Sequence, residues 1–132
     1  MAPEKENTPQ EKATEQPLIM QIIVRRDLLD AKGWGIGPLM AQVAHATSAV
    51  LHETRDRPET IEYLDDLNSM HKSLSSSPQS SEKSSAPAPL PPHHLWTEQP
   101  ENEPTCIALA PSRRGDKAVR RVLDKAGCRV WR

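Results

Sequence analysis

The spacing of apolar residues in the first half of the chain predicts one strand followed by one long helix. Residues 18–24 (Leu-Ile-Met-Gln-Ile-Ile-Val) form an apolar run rich in β-branched side chains, which is typical of a strand covered on both faces. A glycine-rich loop follows, and Pro38 is well placed to begin a helix that continues to about Glu53. Apolar side chains recur there every three or four residues, so one helix face is predicted to lie in the core. The apolar positions are Leu39, Met40, Val43, Ala44, Ala46, Val50 and Leu51, and the face left free for chemistry carries Gln42, His45, Ser48 and His52.

The second half of the chain predicts two more helices and three more strands. Apolar residues at helical spacing, with acids between them, indicate a helix from Pro58 to near His71. Residues 94–97 and 105–110 predict two strands joined by a polar segment. Residues 116–126 predict a helix that ends at Gly127, and residues 128–131 predict a last short strand. Strands separated by helices predict an α/β domain with a small mixed β-sheet flanked by helices.

Two segments have compositions that do not favour a fixed structure. Residues 1–17 are rich in Glu, Lys, Thr, Gln and Pro, and we expect an unstructured tail there. Residues 73–92 consist largely of Ser, Pro and Ala, which predicts a long loop within the domain at 18–132. A structureless loop of that length is uncommon inside a compact domain.

The composition of the chain limits which classes of protein and which kinds of site are expected. A chain of 132 residues has room for one core, and its net charge of -1 gives no global field for attracting a polyanion. The widely spaced Cys106 and Cys128 predict reduced, buried thiols rather than a disulfide framework. The apolar runs fall short of the roughly 20 residues that a membrane-spanning helix needs, so we expect a cytoplasmic protein without membrane contact. His93 and His94 lack a third ligand at useful spacing, and we expect no metal site.

Charge is unevenly distributed along the chain. Acidic residues concentrate in the predicted second helix, and basic residues concentrate after residue 112. The basic residues are Arg113, Arg114, Lys117, Arg120, Arg121, Lys125, Arg129 and Arg132. Such a cluster predicts salt-sensitive phosphate binding, with an ordinary solvated helix face as the alternative.

Three motifs together resemble a known enzyme family. They are Arg25-Arg26-Asp27-Leu28 after the first strand, Ala-Gln-Val-Ala-His-Ala at 41–46, and Leu-Trp-Thr-Glu-Gln-Pro-Glu-Asn at 95–102. The sequence resembles peptidyl-tRNA hydrolase of the archaeal and eukaryotic type, in the divergent branch called peptidyl-tRNA hydrolase domain-containing. The resemblance extends from about residue 18 to residue 132, apart from the Ser/Pro-rich segment. It implies tRNA as partner, no metal or other cofactor, and hydrolysis of the ester between a peptide and the terminal ribose of tRNA.

The resemblance also implies roles for individual residues. His45 matches the active-site histidine of the family, and Glu98 and Thr105 are the nearest matches to an acid and a threonine close to it. In this chemistry a neutral imidazole takes a proton from water, a carboxylate orients it, and a hydroxyl or amide stabilises the oxyanion. The residues assigned to substrate binding are Gln42, Asn102, Arg25, Arg120 and Arg121. Without the resemblance, these side chains have ordinary interpretations as surface, ladder or solvated groups.

The chain also departs from the family pattern. The loop before the first helix has lysines in the characterised branch, and Ile36 and Pro38 occupy those positions here. Losing one donor of transition-state stabilisation costs about 100-fold or more in rate. The alternative function is therefore a non-catalytic tRNA- or ribosome-associated binding protein derived from the same fold. A protein-interaction module without a nucleic-acid role and a homodimer are further possibilities that the sequence leaves open.

Overall fold

The computed structural model describes residues 16–77 and 91–131, which form a mixed six-stranded sheet with helices on both faces. The strands are β1 (Leu18–Arg25), β2 (Lys72–Ser77), β3 (His93–Glu98), β4 (Glu103–Leu109), β5 (Ser112–Arg113) and β6 (Arg129–Val130). The helices are α1 (Asp27–Asp30), α2 (Ile36–Glu53), α3 (Pro58–Asp65) and α4 (Lys117–Lys125), with a 3-10 turn at Leu67–Ser69. The predicted α/β class with a small mixed sheet is confirmed.

Strand β1 is the centre of the sheet, as its apolar sequence predicts. The strand order is β3-β4-β1-β2-β6, and β5 pairs with β1 beyond the end of the β4 ladder. β1 and β2 are parallel, and every other pairing is antiparallel. Seven of the eight β1 residues are buried, because helices cover both of its faces.

Alternate residues of β1 divide the core into two layers. Met20, Ile22 and Val24 pack on one face with Leu39, Ala46 and Val50 of α2. Ile23 points to the other face and packs with Leu109 and with Val119 and Val122 of α4. Helices α2 and α4 therefore lie on opposite faces of the sheet.

The predicted loop at 73–92 is wrong in its first five residues, because Ser73–Ser77 belong to strand β2. A parallel ladder joins β2 to β1 from Met20–Lys72 to Arg25–Ser77, and Leu74 packs against the main core. Backbone groups form that ladder whatever the side chains are, so a serine-rich sequence concealed the strand. Residues 78–90 of the predicted loop and residues 1–15 of the predicted tail lie outside the described residues.

The second predicted helix differs in length and orientation. α3 ends at Asp65, and the face predicted to be apolar points outward, with Ile61, Leu64 and Leu67 exposed by 56, 38 and 69%. Thr60 and Tyr63 face inward instead. Their polar atoms have partners, since Tyr63 Oη donates to His71 O at 2.9 Å and the Thr60 and Thr54 hydroxyls are 3.0 Å apart. Because both hydroxyl groups have hydrogen-bond partners, burying these residues does not leave unpaired polar atoms in the core.

The other predicted elements agree closely with the structure. α2 begins two residues before Pro38 and ends at the predicted Glu53, and Gly127 after α4 has a left-handed φ of 65°. Met40, predicted beside the buried face of α2, is 63% exposed.

Both cysteines are free. Cys106 is buried, which raises its pKa to about 11, and Cys128 is half-buried. No helix within 16–77 and 91–131 is long and apolar enough to cross a membrane.

Candidate active site

One face of α2 and one face of β3 form a row of paired polar and aromatic side chains. The two elements run in opposite directions, so residues 42, 45 and 53 of α2 meet residues 98, 96 and 94 of β3. The Gln42 amide contacts the Glu98 carboxylate, the His45 ring stacks on Trp96, and Glu53 contacts His94. The spacing follows from the two periodicities: positions three, four or eight apart share a helix face, and positions two apart share a strand face.

Gln42 is the centre of this row, although its side chain is almost fully buried. Its Nε2 donates to Glu98 Oε2 at 2.9 Å and to Pro38 O at 3.2 Å, which uses both amide hydrogens. Its Oε1 accepts a hydrogen bond from Thr105 Oγ1 at 3.2 Å. Sequence analysis placed Gln42 on the free face of α2 and assigned it to substrate binding. The predicted exposure is wrong, because Gln42 is buried and both of its amide hydrogens are bonded within the protein.

Thr105 reaches Gln42 because β4 contains a bulge. Trp96 pairs with Cys106 and Thr97 pairs with Pro104, so Thr105 is the extra residue on β4. A bulge turns a side chain away from the alternation of its strand. Thr105 consequently faces α2 together with Cys106, and it is fully buried. The structure therefore brings Thr105 to the predicted site, beneath its surface.

The Glu98 carboxylate is held in place by its neighbours. Besides the Gln42 amide, Trp96 Nε1 donates to Glu98 Oε1 at 3.4 Å. These hydrogen bonds, the one from Gln42 above all, together with the positive influence of His45, keep the pKa of Glu98 below its ordinary value of 4.5. Glu98 is therefore ionised at neutral pH and only half-buried.

His45 is the most accessible member of the group. Its ring is exposed and stacks on the Trp96 indole, with the ring centroids 4.6 Å apart and an interplanar angle of 22°. On the other side, the His94 ring lies 6.0 Å from Trp96, and His94 Nδ1 is 2.6 Å from Glu53 Oε1. An imidazole open to solvent and close to a fixed carboxylate can take a proton from water.

Sequence reasoning missed Trp96 and the pair of Glu53 and His94. A signal for them was present, because His94, Trp96 and Glu98 alternate along β3 and so share one face. The burial of Gln42 also had a signal: residues 42, 46 and 50 lie at four-residue spacing, on the buried stripe of α2.

Comparisons with known proteins show the family of this chain. The family model for peptidyl-tRNA hydrolase PTH2 matches residues 18–125. A human protein named "Putative peptidyl-tRNA hydrolase PTRHD1" is 40% identical over 104 residues, which cover 75% of this chain and 74% of the human protein. The mouse protein of the same name is 40% identical over 101 residues, covering 73 and 72% of the two chains. The chain belongs to the peptidyl-tRNA hydrolase PTH2 family. The resemblance on which the sequence analysis relied is confirmed.

Arg25, which the motifs of the PTH2 family suggested as a substrate-binding residue, is occupied inside this protein. It is 5% exposed, its guanidinium bonds both carboxylate oxygens of Asp27, and it also contacts Glu103 and Pro104 O. These contacts join Asp27 at the start of α1 and the first residues of β4 to the end of β1. The assignment of Arg25 to substrate binding stays a prediction.

Arg120 and Arg121 lie on α4, across the sheet from His45. The structure thus does not bring them to the predicted site around Glu98, although both are exposed. Asn102 lies in the exposed turn between β3 and β4, with a left-handed φ of 53°, and its Oδ1 accepts a hydrogen bond from Gln99. Within the described part of the chain, no three His, Cys, Asp or Glu side chains are arranged to hold a metal ion.

Proposed function

We propose that this chain hydrolyses the ester between a peptide and the terminal ribose of tRNA, with His45 as general base and Glu98 as its charged neighbour. The observation that carries the proposal is the contact row of α2 and β3, in which an exposed imidazole stacks on Trp96 beside an ionised carboxylate. Membership of the PTH2 family supports the choice of substrate.

The chemistry assigned to His45 begins with a neutral imidazole. It takes a proton from a water molecule, and the resulting hydroxide attacks the ester carbonyl carbon to give a tetrahedral oxyanion. Collapse of this intermediate breaks the bond to the ribose oxygen, and the imidazolium returns its proton to that oxygen. The products are the free peptide acid and tRNA with a restored hydroxyl. The negative charge of Glu98 stabilises the positive charge that develops on the His45 ring during the reaction.

Buried and half-buried neighbours position this pair. Thr105 holds the Gln42 amide, Gln42 and Trp96 hold the Glu98 carboxylate, and Trp96 supports the His45 ring. A carboxylate fixed in this way need not reorganise during the reaction, which is the main source of electrostatic stabilisation in enzymes.

The start of α2, which would contact the developing negative charge, is less polar here than in the characterised branch of the family. Ile36 is 57% exposed at the start of α2, and Pro38 follows in the same turn, so neither position supplies a cation. We assign substrate contact to the Asn102 amide, a neutral donor in the turn that follows Glu98. Slow turnover is expected from a site in which positions 36 and 38 supply no positive group for the oxyanion.

The direct test is the release of peptide from a peptidyl-tRNA by the purified full chain and by its His45→Ala variant. Loss of a general base lowers the rate by about 100-fold or more. His52→Ala is the matched control, because this second histidine is also exposed on α2 but lies one residue before the end of the helix. Equal rates for the wild-type protein and His45→Ala would remove His45 from the mechanism.

Absence of hydrolysis in the wild-type protein would favour the second candidate function, tRNA binding without turnover. The exposed Arg120 and Arg121 and the missing loop cations favour this alternative. It predicts tRNA binding that weakens with salt, survives His45→Ala, and weakens when both arginines are neutralised. Failure to bind tRNA at low salt would exclude both functions.

A further inference from the structure

The sheet face opposite His45 carries polar side chains where a helix-covered sheet is normally apolar. Gln21 of β1 lies beside Ser73 of β2, the next pair on this face is Ile23 and Ser75, and Ser112 of β5 lies beside Ile19. Ser75 and Ser112 are only 5 and 9% exposed. Neither hydroxyl is among the buried polar atoms that lack a partner, so both oxygens still reach open space above the sheet.

A pocket of about 410 Å³ opens over these residues, between the sheet and α4. Serine side chains leave space that the usual β-branched strand residues would fill, so the same residues create the cavity and line it with hydroxyls. Within the described ranges, no other residue is hydrogen-bonded to the side chains of Gln21, Ser73, Ser75 or Ser112. Small-molecule sites typically have volumes of about 300–1,000 Å³ and a few convergent polar groups.

Helix α4 and the turn before it place side chains of both signs of charge at this pocket. Arg114 and Arg120 line it, and neither forms an ion pair with a described residue. Arg113 is held by two 2.8 Å contacts to Glu62. The acids at the pocket are Asp116, which caps α4 by accepting from Val119 N, and Asp124.

We propose that this pocket binds a small phosphate monoester of about mononucleotide size. Guanidinium groups offer paired donors that match phosphate oxygens, so Arg114 and Arg120 hold the phosphate. The serine hydroxyls and the Gln21 amide both donate and accept, and they hold the polar body of the ligand. Asp124 accepts from hydroxyl or amino groups of that body. The site is independent of ester hydrolysis, because it lies across the sheet from His45.

Calorimetric titration of the full chain with AMP, inorganic phosphate and adenosine tests this assignment. AMP binds to saturation, inorganic phosphate binds more weakly, and adenosine binds at least about tenfold more weakly, because it lacks the charge-assisted hydrogen bonds. Adenosine binding as tightly as AMP, or no binding of AMP and phosphate at millimolar concentration, would overturn the site. Equal affinity for phosphate and AMP would remove the role given to the serines.

Two pairs of variants locate the ligand. Arg120→Gln weakens AMP binding about tenfold or more, whereas Arg121→Gln, a neighbour that does not line the pocket, leaves it unchanged. Ser75→Ala weakens it about fivefold, and Ser76→Ala, on the other face of β2, does not. His45→Ala also binds AMP as the wild-type protein does. Equal losses in the two arginine variants would point to a diffuse basic surface and contradict the pocket.

Discussion

At the scale of single residues, the orientation of one amide determines the site. Gln42 is buried between a hydroxyl donor, Thr105, and a carboxylate, Glu98. Turning the amide over would direct its oxygen at the negative charge and its NH₂ group away from it. The network therefore admits one arrangement, and that arrangement fixes Glu98 beside the Trp96 and His45 rings.

Thr105→Val tests this network because valine keeps the shape and removes the hydroxyl. Gln42 Oε1 then loses its donor in a buried position, which costs about 1–3 kcal/mol of unfolding free energy. Hydrolysis also slows, because Glu98 is no longer fixed. Urea unfolding and peptide release measure the two effects. Thr105→Ser keeps the hydroxyl and serves as the control; a valine variant with wild-type stability and rate would show that the network is unimportant.

The residue-scale part of the site was partly predictable. His45 and Glu98 stand in motifs that the sequence displays, and Thr105 was found as the nearest match to a family threonine. The function of Gln42 was not predictable from its polarity, because burial becomes favourable only when the bulge at Thr105 and the Glu98 carboxylate supply its partners. These contacts join residues more than 50 positions apart.

At the scale of elements, a cluster of ionic groups at the end of β1 holds three elements together. Arg25 closes β1, Asp27 begins α1, and Glu103 begins β4. Lys32 and Arg25 donate to Glu103 and keep its pKa below the ordinary 4.5. Arg25 also donates to Asp27 and keeps the pKa of Asp27 below its own ordinary value of 3.8. This cluster sets the start of β4, which carries Thr105 two residues later.

The lowered pKa of Glu103 predicts a pH dependence of stability. The folded state binds the proton less readily than the unfolded chain, so the stabilisation is complete above the ordinary pKa of 4.5 and disappears as pH falls through the lower folded value. Glu103→Gln should cost about 1–2 kcal/mol at pH 7 and show a weaker acid dependence. Urea unfolding between pH 7 and pH 3 measures this. Glu101→Gln, an exposed acid in the preceding turn, is the control; equal slopes for wild-type and Glu103→Gln would contradict the prediction.

The sequence predicted whether a segment is a helix or a strand more readily than it predicted what that element packs against. β1, α2 and α4 have strong apolar periodicities and were found at nearly their observed bounds. β2 was missed because its serines lack strand propensity, and its place beside β1 comes from a ladder that no local pattern reveals. The orientation of α3 was wrong because Thr60 and Tyr63 find partners outside the helix.

At the scale of the whole molecule, the sheet separates the two proposed sites. His45 and Glu98 lie on the α2 face, whereas Arg120 and the serine-lined pocket lie on the α4 face. The α/β class was predictable from the order of elements, but this separation depends on how strand residues alternate in the assembled sheet. Arg120 and Arg121 of the basic cluster therefore lie across the sheet from His45, and the phosphate binding predicted for the cluster stays a prediction.

The most direct test of the central claim, that His45 and Glu98 act as one unit on the ester, is a double-mutant cycle. It compares single-turnover rate constants for peptide release from peptidyl-tRNA by the wild-type protein, His45→Ala, Glu98→Gln and the double variant. We predict that each single change lowers the rate by about 100-fold or more, and that the double variant is no slower than the slower single variant. A wild-type rate in either single variant, or effects that multiply in the double variant, would contradict the account.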